Sequence, residues 1–488
     1  MAKIKNFFLK NTGIRQTIVK NTFWLFLAQM IASILRFLLL ILAVRVLGVL
    51  EYGKFTFAFS FVSVMVIFAD LGIMDTATKD LSQDVNSKAE WLEFLSLDIV
   101  LTIFAFLLMI IGSFIVVSDP VIQKTIWVLS FFIVITSFFG IFFAYMRSVQ
   151  KMEYESLFKI IQSVMIFLVP LFALLYFKSA LGLAYGYLLA NFIFLILFLV
   201  FFNFYFQRLN IKWSKNIFKI LKRSWPLSVS FTGAFIYIYV ASVILGFFNL
   251  IYENGLFGAA FKIAFTVFML ITMVGASFYP VMSKFFIESK ENLQKTWNYL
   301  MMSMIFLAVP MVFGGITLSP QIIKLFYGMS FLQSIPILQF LFVVIAINLI
   351  NYPFSLALVI SNQQKKNFLI ILCGTVFDII LSISLIQSYG VFGAVYAILL
   401  SSIVALFLSI LLLKYFVNLG ISYFNMDLFE TTLISLFAGL LMFLSIRYFV
   451  IYNLNIFIIG LLGFMVYILA LITIYKYILH KNLLSVYK

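Results

Sequence analysis

The apolar positions of this chain form long uninterrupted runs, and polar residues are confined to short segments between them. Each run has about 20 residues or more, which is enough for an α-helix to cross the hydrocarbon core of a bilayer. The predicted spans are 21–45, 54–74, 96–117, 121–147, 157–177, 180–206, 225–248, 256–281, 297–318, 332–360, 366–388, 389–415, 428–451 and 454–479. The pattern predicts an all-α integral membrane protein with about fourteen transmembrane helices.

The basic residues predict the orientation of these spans. With the N-terminus inside, the inner segments hold 25 of the 33 Lys and Arg residues. Cytoplasmic loops are enriched in Lys and Arg, so both termini are expected in the cytoplasm. The first twenty residues are expected to be a retained cytoplasmic tail, and the location a bacterial plasma membrane. A basic amphipathic segment at 207–223 is expected to lie on the inner leaflet, with attraction of a pyrophosphate headgroup as the alternative.

Composition narrows the chemistry. The chain is 65% hydrophobic and 10% charged, whereas a soluble domain carries about 25% charged residues. One Cys and one His rule out a disulfide framework, a His-based metal site and a catalytic triad. No nucleotide-binding P-loop motif is present, and no cofactor is expected. The net charge of +16 is attributed to the cytoplasmic loops, so membrane lipids and not nucleic acid are the expected partners.

Two motifs recur at a similar separation and indicate an internal repeat. Leu50–Phe57 (LEYGKFTF) resembles Tyr252–Phe261 (YENGLFGAAF), and each precedes an even-numbered span. Leu181–Asn191 (LGLAYGYLLAN) resembles Val391–Ser401 (VFGAVYAILLS). An even number of spans per repeat makes the two halves parallel, and rocking of such halves about a central cavity gives alternating access.

The repeat divides the predicted spans into three parts. The expected parts are an N-lobe of spans one to six at 1–223, a C-lobe of spans seven to twelve at 224–418, and two appended spans at 419–488. The two lobes are expected to be pseudo-symmetric and to enclose the cavity.

Charges inside the membrane are costly, so they are the first candidates for function. Arg36 lies in the middle of span one, beyond easy snorkelling, and is predicted to contact phosphate or sugar, with an internal ion pair as the alternative. Lys262 lies about two turns into span eight, where cavity lining and snorkelling are equally plausible. Asp378, in span eleven, is predicted to pair with one of these cations or to bind a coupling cation or proton. Asp70, at the end of span two, is a second coupling or ion-pair candidate, although a helix-end hydrogen bond is favoured.

Prolines in or near spans mark candidate bends. Pro226 and Pro280 are predicted hinges for rocking of the lobes, and a static kink is an equally good interpretation. The 62 phenylalanines are assigned to packing and lipid contact, without an aromatic platform for sugars.

Six segments, in order along the chain, resemble the Wzx-type polysaccharide (O-antigen) flippases of the multidrug/oligosaccharidyl-lipid/polysaccharide exporter superfamily. They are Leu42–Phe61 (LAVRVLGVLEYGKFTFAFSF), Phe68–Ile73 (FADLGI), Ser224–Ser230 (SWPLSVS), Gly255–Phe265 (GLFGAAFKIAF), Ser277–Phe285 (SFYPVMSKF) and Tyr389–Ser401 (YGVFGAVYAILLS).

The resemblance implies transport of an undecaprenyl-pyrophosphate-linked oligosaccharide from the inner to the outer leaflet. It also implies a surface-polysaccharide polymerase as a partner.

One feature departs from the family. Many relatives carry an acidic residue in span seven, whereas Tyr239–Gly246 (YVASVILG) has no charge, so ion coupling at that position is in doubt.

Three alternatives remain at this stage. A lipid II flippase and a small-molecule or drug exporter would share the same fold, although Arg36 and Lys262 favour an anionic substrate over cationic drugs. A membrane polysaccharide polymerase is less favoured, because the predicted outer loops are short and carry no pair of carboxylates.

Overall fold

The computed structural model describes residues 14–83, 88–205, 217–417, 419–452 and 454–477. Within these ranges the chain is helical and contains no β-strand. The helices are α1 Ile14–Met65, α2 Ile67–Asp70, α3 Ile73–Gln83, α4 Lys88–Val116, α5 Pro120–Ser148, α6 Met152–Phe177, α7 Ala180–Tyr205, α8 Ile217–Phe247, α9 Ile251–Ala276, α10 Tyr279–Glu288, α11 Lys290–Phe326, α12 Ser334–Ile360, α13 Gln364–Tyr389, α14 Val391–Phe416, α15 Met426–Ile451 and α16 Ile456–Tyr477.

In the described residues, 12 helical stretches are long and apolar enough to cross a membrane. The first stretch, Lys20–Gln83, contains two predicted spans. Both belong in part to α1, which has a kink at Gly48, where the backbone is not helical and φ is +68°. A shorter apolar stretch, Ile236–Phe247, lies in predicted span seven. The helices therefore accommodate all fourteen predicted spans, and the chain is a multi-pass membrane protein.

The chain divides into two compact units, Met1–Gly255 and Leu256–Lys488. In the first unit α7 packs against α5 and α6, and α8 packs against α1, α3 and α4. In the second unit α14 packs against α12 and α13, and α11 packs against α12, α15 and α16. The α5–α6–α7 packing of the first unit thus recurs as α12–α13–α14 in the second. The lobe boundaries predicted from the sequence are boundaries between repeats. The two units described here are defined by packing, so they do not test those boundaries, which stay a prediction.

Aromatic side chains fill the core of the first unit. Phe139 and Phe142 on α5 meet Phe198 on α7 edge to face, with ring centroids 5.4 and 5.3 Å apart. Trp91 on α4 stacks on Phe202 at 5.7 Å and is fully buried. Edge-to-face aromatic pairs are favourable beyond their burial, so they help to hold α4, α5 and α7 together.

Ion pairs join the helix ends of the first unit on the predicted cytoplasmic side. Glu155 at the start of α6 is fully buried and accepts two hydrogen bonds from Nε of Arg147, at 3.0 and 2.9 Å. Lys159 lies 2.7 Å from the same carboxylate. The buried Lys20 of α1 pairs with Glu153 at 3.0 Å. These bonds tie the ends of α1, α5 and α6 to one another. Breaking one of them would leave an uncompensated charge in a buried place, so the ion pairs resist separation of the helix ends.

The basic segment at 207–223 lies in part outside the described residues. From Ile217 onward it forms the first turns of α8, which continues to Phe247. Ile220 is buried in the core of the first unit, and Arg223 pairs with Asp80 of α3. This part is therefore not a separate helix, because it continues α8 and its Ile220 packs against protein, whereas its placement on the inner leaflet stays a prediction.

Glycines allow two helices of the first unit to approach closely. A Cβ added to Gly186 on α7 would lie 2.6 Å from the Cα of Pro170 and 2.9 Å from the Cβ of Ala173, both on α6. A Cβ added to Gly374 on α13 of the second unit would meet the Cβ of Ala405 at an ordinary 3.6 Å. Small residues at such crossings let backbones pack directly in the membrane.

We therefore predict that Gly186→Ala lowers the melting temperature of the purified protein in detergent. The substitution overpacks the crossing of α6 and α7, which costs about 1–3 kcal/mol. Gly374→Ala is the matched control at the corresponding helix pair, and it should leave the melting temperature unchanged or raise it, because alanine favours the helix. Equal melting temperatures for the two variants would contradict this account of the crossing.

Candidate functional site

Arg36 lies on α1 and is exposed. Its Nε donates to the Ala32 carbonyl at 3.2 Å and its Nη2 lies 3.5 Å from the Ser33 hydroxyl, both within its own helix. Among the described residues, no ion pair includes Arg36. The alternative of an internal ion pair therefore finds no support in the described ranges, and the guanidinium retains the capacity to bind an anion.

Two tyrosines lie near the Arg36 guanidinium. Its charge acts on the phenol groups of Tyr187 on α7 and Tyr239 on α8. Both tyrosines are half-buried and belong to the first unit, and Tyr239 is hydrogen-bonded to Ser63 of α1. The exposed guanidinium thus lies beside phenols that are packed between helices of the first unit.

Aromatic rings extend this group along α1. Phe55 stacks on Tyr187 with ring centroids 5.8 Å apart and on Phe59 at 5.9 Å. Phe59 in turn meets the ring of Tyr239 edge to face at 6.4 Å. Phe55 and Phe59 are half-buried. We refer to Arg36, Tyr187, Tyr239, Phe55 and Phe59 as the arginine–aromatic group.

Asn191, one turn after Tyr187, fixes α7 in place. Its side chain is fully buried, and its Nδ2 donates to the Thr136 hydroxyl of α5 at 2.6 Å. The Gln162 amide of α6 donates to its Oδ1 at 3.1 Å. One side chain therefore joins three helices, and hydrogen bonds between membrane helices contribute about 1 kcal/mol each.

The arginine–aromatic group combines three chemical capacities. The guanidinium can bind phosphate oxygens through two parallel hydrogen bonds. The phenol hydroxyls can donate to or accept from sugar hydroxyls. The aromatic faces offer apolar surface beside these polar groups. Together they suit a ligand that is both anionic and polar.

The other predicted cation lies in the second unit. Lys262 is half-buried on α9, one turn before Thr266, whose hydroxyl donates to the Lys262 carbonyl at 2.7 Å. Arg36 and Lys262 are therefore found in different packing units. Joint contact of both with one ligand stays a prediction.

Asp378 on α13 is fully buried in the second unit. The Ser401 hydroxyl of α14 lies 3.5 Å from its Oδ1, and its Oδ2 has no hydrogen-bond partner. No ion pair in the described part of the chain includes Asp378, so the predicted pairing with a cation finds no support. A buried carboxylate without a countercharge needs a bound proton or cation, which leaves the coupling hypothesis in place.

Asp70 ends α2 and is half-buried. Its Oδ1 accepts a hydrogen bond from the backbone N–H of Met74 at 3.2 Å. This is the favoured helix-end bond, because it satisfies a free donor at the start of α3.

The two predicted hinges occupy different settings. Pro280 lies in the first turn of α10, directly after the break that separates α10 from α9. Pro226 lies within the continuous helix α8. Proline fits a first helical turn without loss of a hydrogen bond, so Pro280 fits the start of a new helix. Movement at either residue stays a prediction.

Sequence reasoning missed the two tyrosines of the arginine–aromatic group and the hydrogen bonds of Asn191. Tyr187 and Asn191 both lie in the repeated motif Leu181–Asn191, and Tyr239 begins the segment noted for its missing acid. The motif was therefore visible, but its relation to Arg36 depends on how α1, α7 and α8 pack.

Residues 18–286 match the family model of polysaccharide biosynthesis proteins, which is more than half of the chain. The chain belongs to this family. A putative O-antigen transporter of Shigella dysenteriae is 27% identical over 190 residues, a match that covers 39% of this chain and 47% of that protein. The match thus spans about half the length of this curated relative.

Solved structures agree on the fold of this polysaccharide biosynthesis protein. The lipid II flippase MurJ in an inward closed conformation has a TM-score of 0.73 at 18% identity, covering 93% of this chain and 99% of that one. An inward-facing MATE family multidrug resistance transporter of the MOP superfamily has a TM-score of 0.61 at 15% identity, covering 78% and 94%. At these identities the likeness shows the fold alone. The predicted all-α fold and the family resemblance are confirmed, and these relatives are named as transporters and not as enzymes.

The hydrogen bonds of Asn191 lead to a stability prediction. Asn191→Ala leaves Gln162 and Thr136 without their shared partner, and we expect a loss of about 1–2 kcal/mol. The measurement is the melting temperature in detergent. Phe192→Leu is the control, since Phe192 is the next residue on α7 and is 52% exposed. A melting temperature of Asn191→Ala equal to that of Phe192→Leu would show that the polar link is dispensable.

Proposed function

We propose that this protein is a flippase for an undecaprenyl-pyrophosphate-linked oligosaccharide. It moves the repeat unit from the cytoplasmic to the outer leaflet of a bacterial plasma membrane by alternating access, with both termini in the cytoplasm. The product then serves the synthesis of O-antigen, capsule or another surface polysaccharide. Membership of the polysaccharide biosynthesis family, the partial match to a putative O-antigen transporter and the flippase-like fold support this proposal.

The observation that carries the proposal is the unpaired Arg36. A cation in the middle of a membrane span is costly unless it serves an ion pathway or a ligand. In the described part of the chain, Arg36 bonds only to its own helix and has no carboxylate partner. A pyrophosphate supplies the missing negative charge, and an arginine forms two parallel hydrogen bonds with it.

The aromatic part of the group fits the remainder of the headgroup. Sugar rings have hydroxyl edges and apolar C–H faces, so they match the phenols of Tyr187 and Tyr239 and the rings beside them. A cationic drug would be repelled by Arg36, which disfavours a drug exporter. Lys262 on α9 is proposed as a second substrate contact in the other unit.

Coupling to an ion is assigned to Asp378. It is fully buried, and one of its carboxylate oxygens has no hydrogen-bond partner. A bound proton or cation would neutralise it in a place where an isolated charge is unfavourable. This would compensate for the missing acid in span seven.

The polysaccharide polymerase is the proposed partner that receives the flipped substrate.

Deletion of the gene gives the first test. Single lipid-linked repeat units that accumulate on the inner leaflet, and that reach the outer leaflet again when the wild-type gene is restored, would support the proposal. Units that reach the outer leaflet but stay unpolymerised would point to a polymerase and contradict it. Accumulation of lipid II would favour the lipid II flippase, and no lipid-linked accumulation would favour a small-molecule exporter.

We expect Arg36→Ala to reduce flipping of the lipid-linked oligosaccharide about ten- to a hundredfold, since a hydrogen bond to a charged group contributes about 1.5–3 kcal/mol. Arg36→Lys should retain part of the activity, because the charge stays and the paired geometry is lost. The measurement is translocation of a fluorescent analogue in proteoliposomes. Lys124→Ala is the control, because it removes an exposed cation at the start of α5. Equal rates for Arg36→Ala and Lys124→Ala would refute the assignment of Arg36.

We expect Asp378→Asn to abolish the stimulation of transport by an imposed proton or sodium gradient. The amide cannot release a proton or balance the charge of a cation. Asp119→Asn is the control, since Asp119 caps α5 through Val121 at 2.7 Å and asparagine caps equally well. The assay compares translocation rates with and without each gradient. Gradient stimulation that survives in Asp378→Asn would exclude Asp378 as the coupling residue.

A further inference from the structure

Asp98 on α4 is a second fully buried carboxylate, and it lies in the first unit. Its Oδ1 accepts a hydrogen bond from the Ser137 hydroxyl of α5 at 3.3 Å. Ser137 in turn accepts from the Thr102 hydroxyl at 3.1 Å. Thr102 and Ser137 are themselves buried. The three side chains form a polar chain that joins α4 to α5 inside an otherwise apolar core.

The second carboxylate oxygen of Asp98 is left without a partner. Its Oδ2 is buried and accepts no hydrogen bond from any described residue. No ion pair in the described ranges includes Asp98. An ionised carboxylate in such a place would keep neither its hydration nor a countercharge, and the cost of that state is large enough to drive neutralisation.

A neighbouring charge that acts on Asp98 has the same sign. Asp70, at the end of α2, is close enough for its charge to act on Asp98, and α2 packs against α4. Asp75 at the start of α3 acts on Asp70 in turn. A like charge nearby disfavours the ionised form of a carboxylate. Of the two, Asp98 is the more buried, whereas Asp70 is half-buried and already bonded to the Met74 N–H.

We propose that Asp98 binds a proton at neutral pH and is a proton site of the first unit, separate from Asp378. The proton lies on Oδ2, the oxygen without a hydrogen-bond partner, while Ser137 donates to Oδ1. A metal ion would find few acidic ligands here, because no group of three or more His, Cys, Asp or Glu side chains that could hold a metal occurs among the described residues. If the protein is the flippase proposed above, this site gives the first unit its own point of coupling to protons. That last step alone depends on the proposed function.

The test is infrared difference spectroscopy of the purified full chain at neutral pH. A protonated carboxylic acid has a carbonyl stretch that an ionised carboxylate lacks. We expect in wild type and in Asp119→Asn a component of this band that is missing in Asp98→Asn, while any component from Asp378 stays. A spectrum of Asp98→Asn identical to that of wild type would overturn the proposal, because Asp98 would then be ionised.

Two further variants keep the test decisive if Asp98→Asn folds poorly. Ser137→Ala removes the hydrogen bond to Oδ1, so the band should shift in frequency without being lost. Asp70→Asn removes the neighbouring negative charge, so the band should vanish at a lower pH than in wild type. A band that neither variant moves does not belong to Asp98 and would also overturn the proposal.

Sodium chloride replaced by choline chloride at constant pH separates a proton from a metal ion. A band unchanged by sodium supports a proton, and a band that disappears when sodium is added overturns the proton assignment. Flipping by the same preparations, measured in proteoliposomes, reports independently on the proposed function. The spectroscopic result stands whichever way that assay turns out.

Discussion

The absence of water in the bilayer is the constraint on which the rest of this structure depends. A helix satisfies its own backbone, but each polar side chain within it needs a partner from another helix or a bound ligand. Asn191 shows the satisfied case, since its amide bonds to Thr136 and Gln162 on two neighbouring helices. Arg36, Asp98 and Asp378 show the other case. Where a buried or mid-span charge lacks a protein partner, a ligand or a proton is the remaining means of balancing it.

The same constraint explains how the two units can share their helix packing and differ in their buried polar side chains. In the first unit the α5–α6–α7 group is joined by the amides of Asn191 and Gln162. In the second unit Asn348 of α12 donates to the Ser402 hydroxyl of α14 at 3.2 Å and so joins two helices of the equivalent group. Beside that link the second unit carries the buried acid Asp378. The helix packing is thus repeated, whereas the buried polar side chains differ between the two units.

The sequence predicts the spans well because hydropathy is a sum over neighbouring residues and needs no knowledge of packing. It also identifies Arg36 and Asp378, since a charge inside an apolar run is visible without a structure. It does not identify Asp98. This residue lies near the predicted start of span three, where a carboxylate is expected at the membrane interface. The helix instead begins at Lys88 and places Asp98 about two turns further in.

The sequence could not predict which side chains lie next to one another. Tyr187 and Tyr239 are ordinary aromatic residues in apolar runs until α1, α7 and α8 are packed together. The basic segment before Arg223 has the spacing of an interfacial helix, but tertiary packing overrides that pattern because Ile220 finds the protein core. Hydropathy therefore fixes which segments are helices, whereas the choice of neighbour decides which polar groups meet.

The distribution of ion pairs in the first unit gives a physical reason for an exposed, unpaired Arg36. Lys20, Arg147 and Lys159 are each held by a glutamate at the helix ends, where their charge stabilises the packing of α1, α5 and α6. A cation already bound to a carboxylate has little attraction left for a phosphate, because the ligand would have to displace that partner. A transport site must also release its anion. In the proposed flippase, an arginine held only by its own helix and bordered by phenols binds the pyrophosphate and exchanges it again, which a glutamate-bound arginine such as Arg147 cannot do without breaking a buried pair.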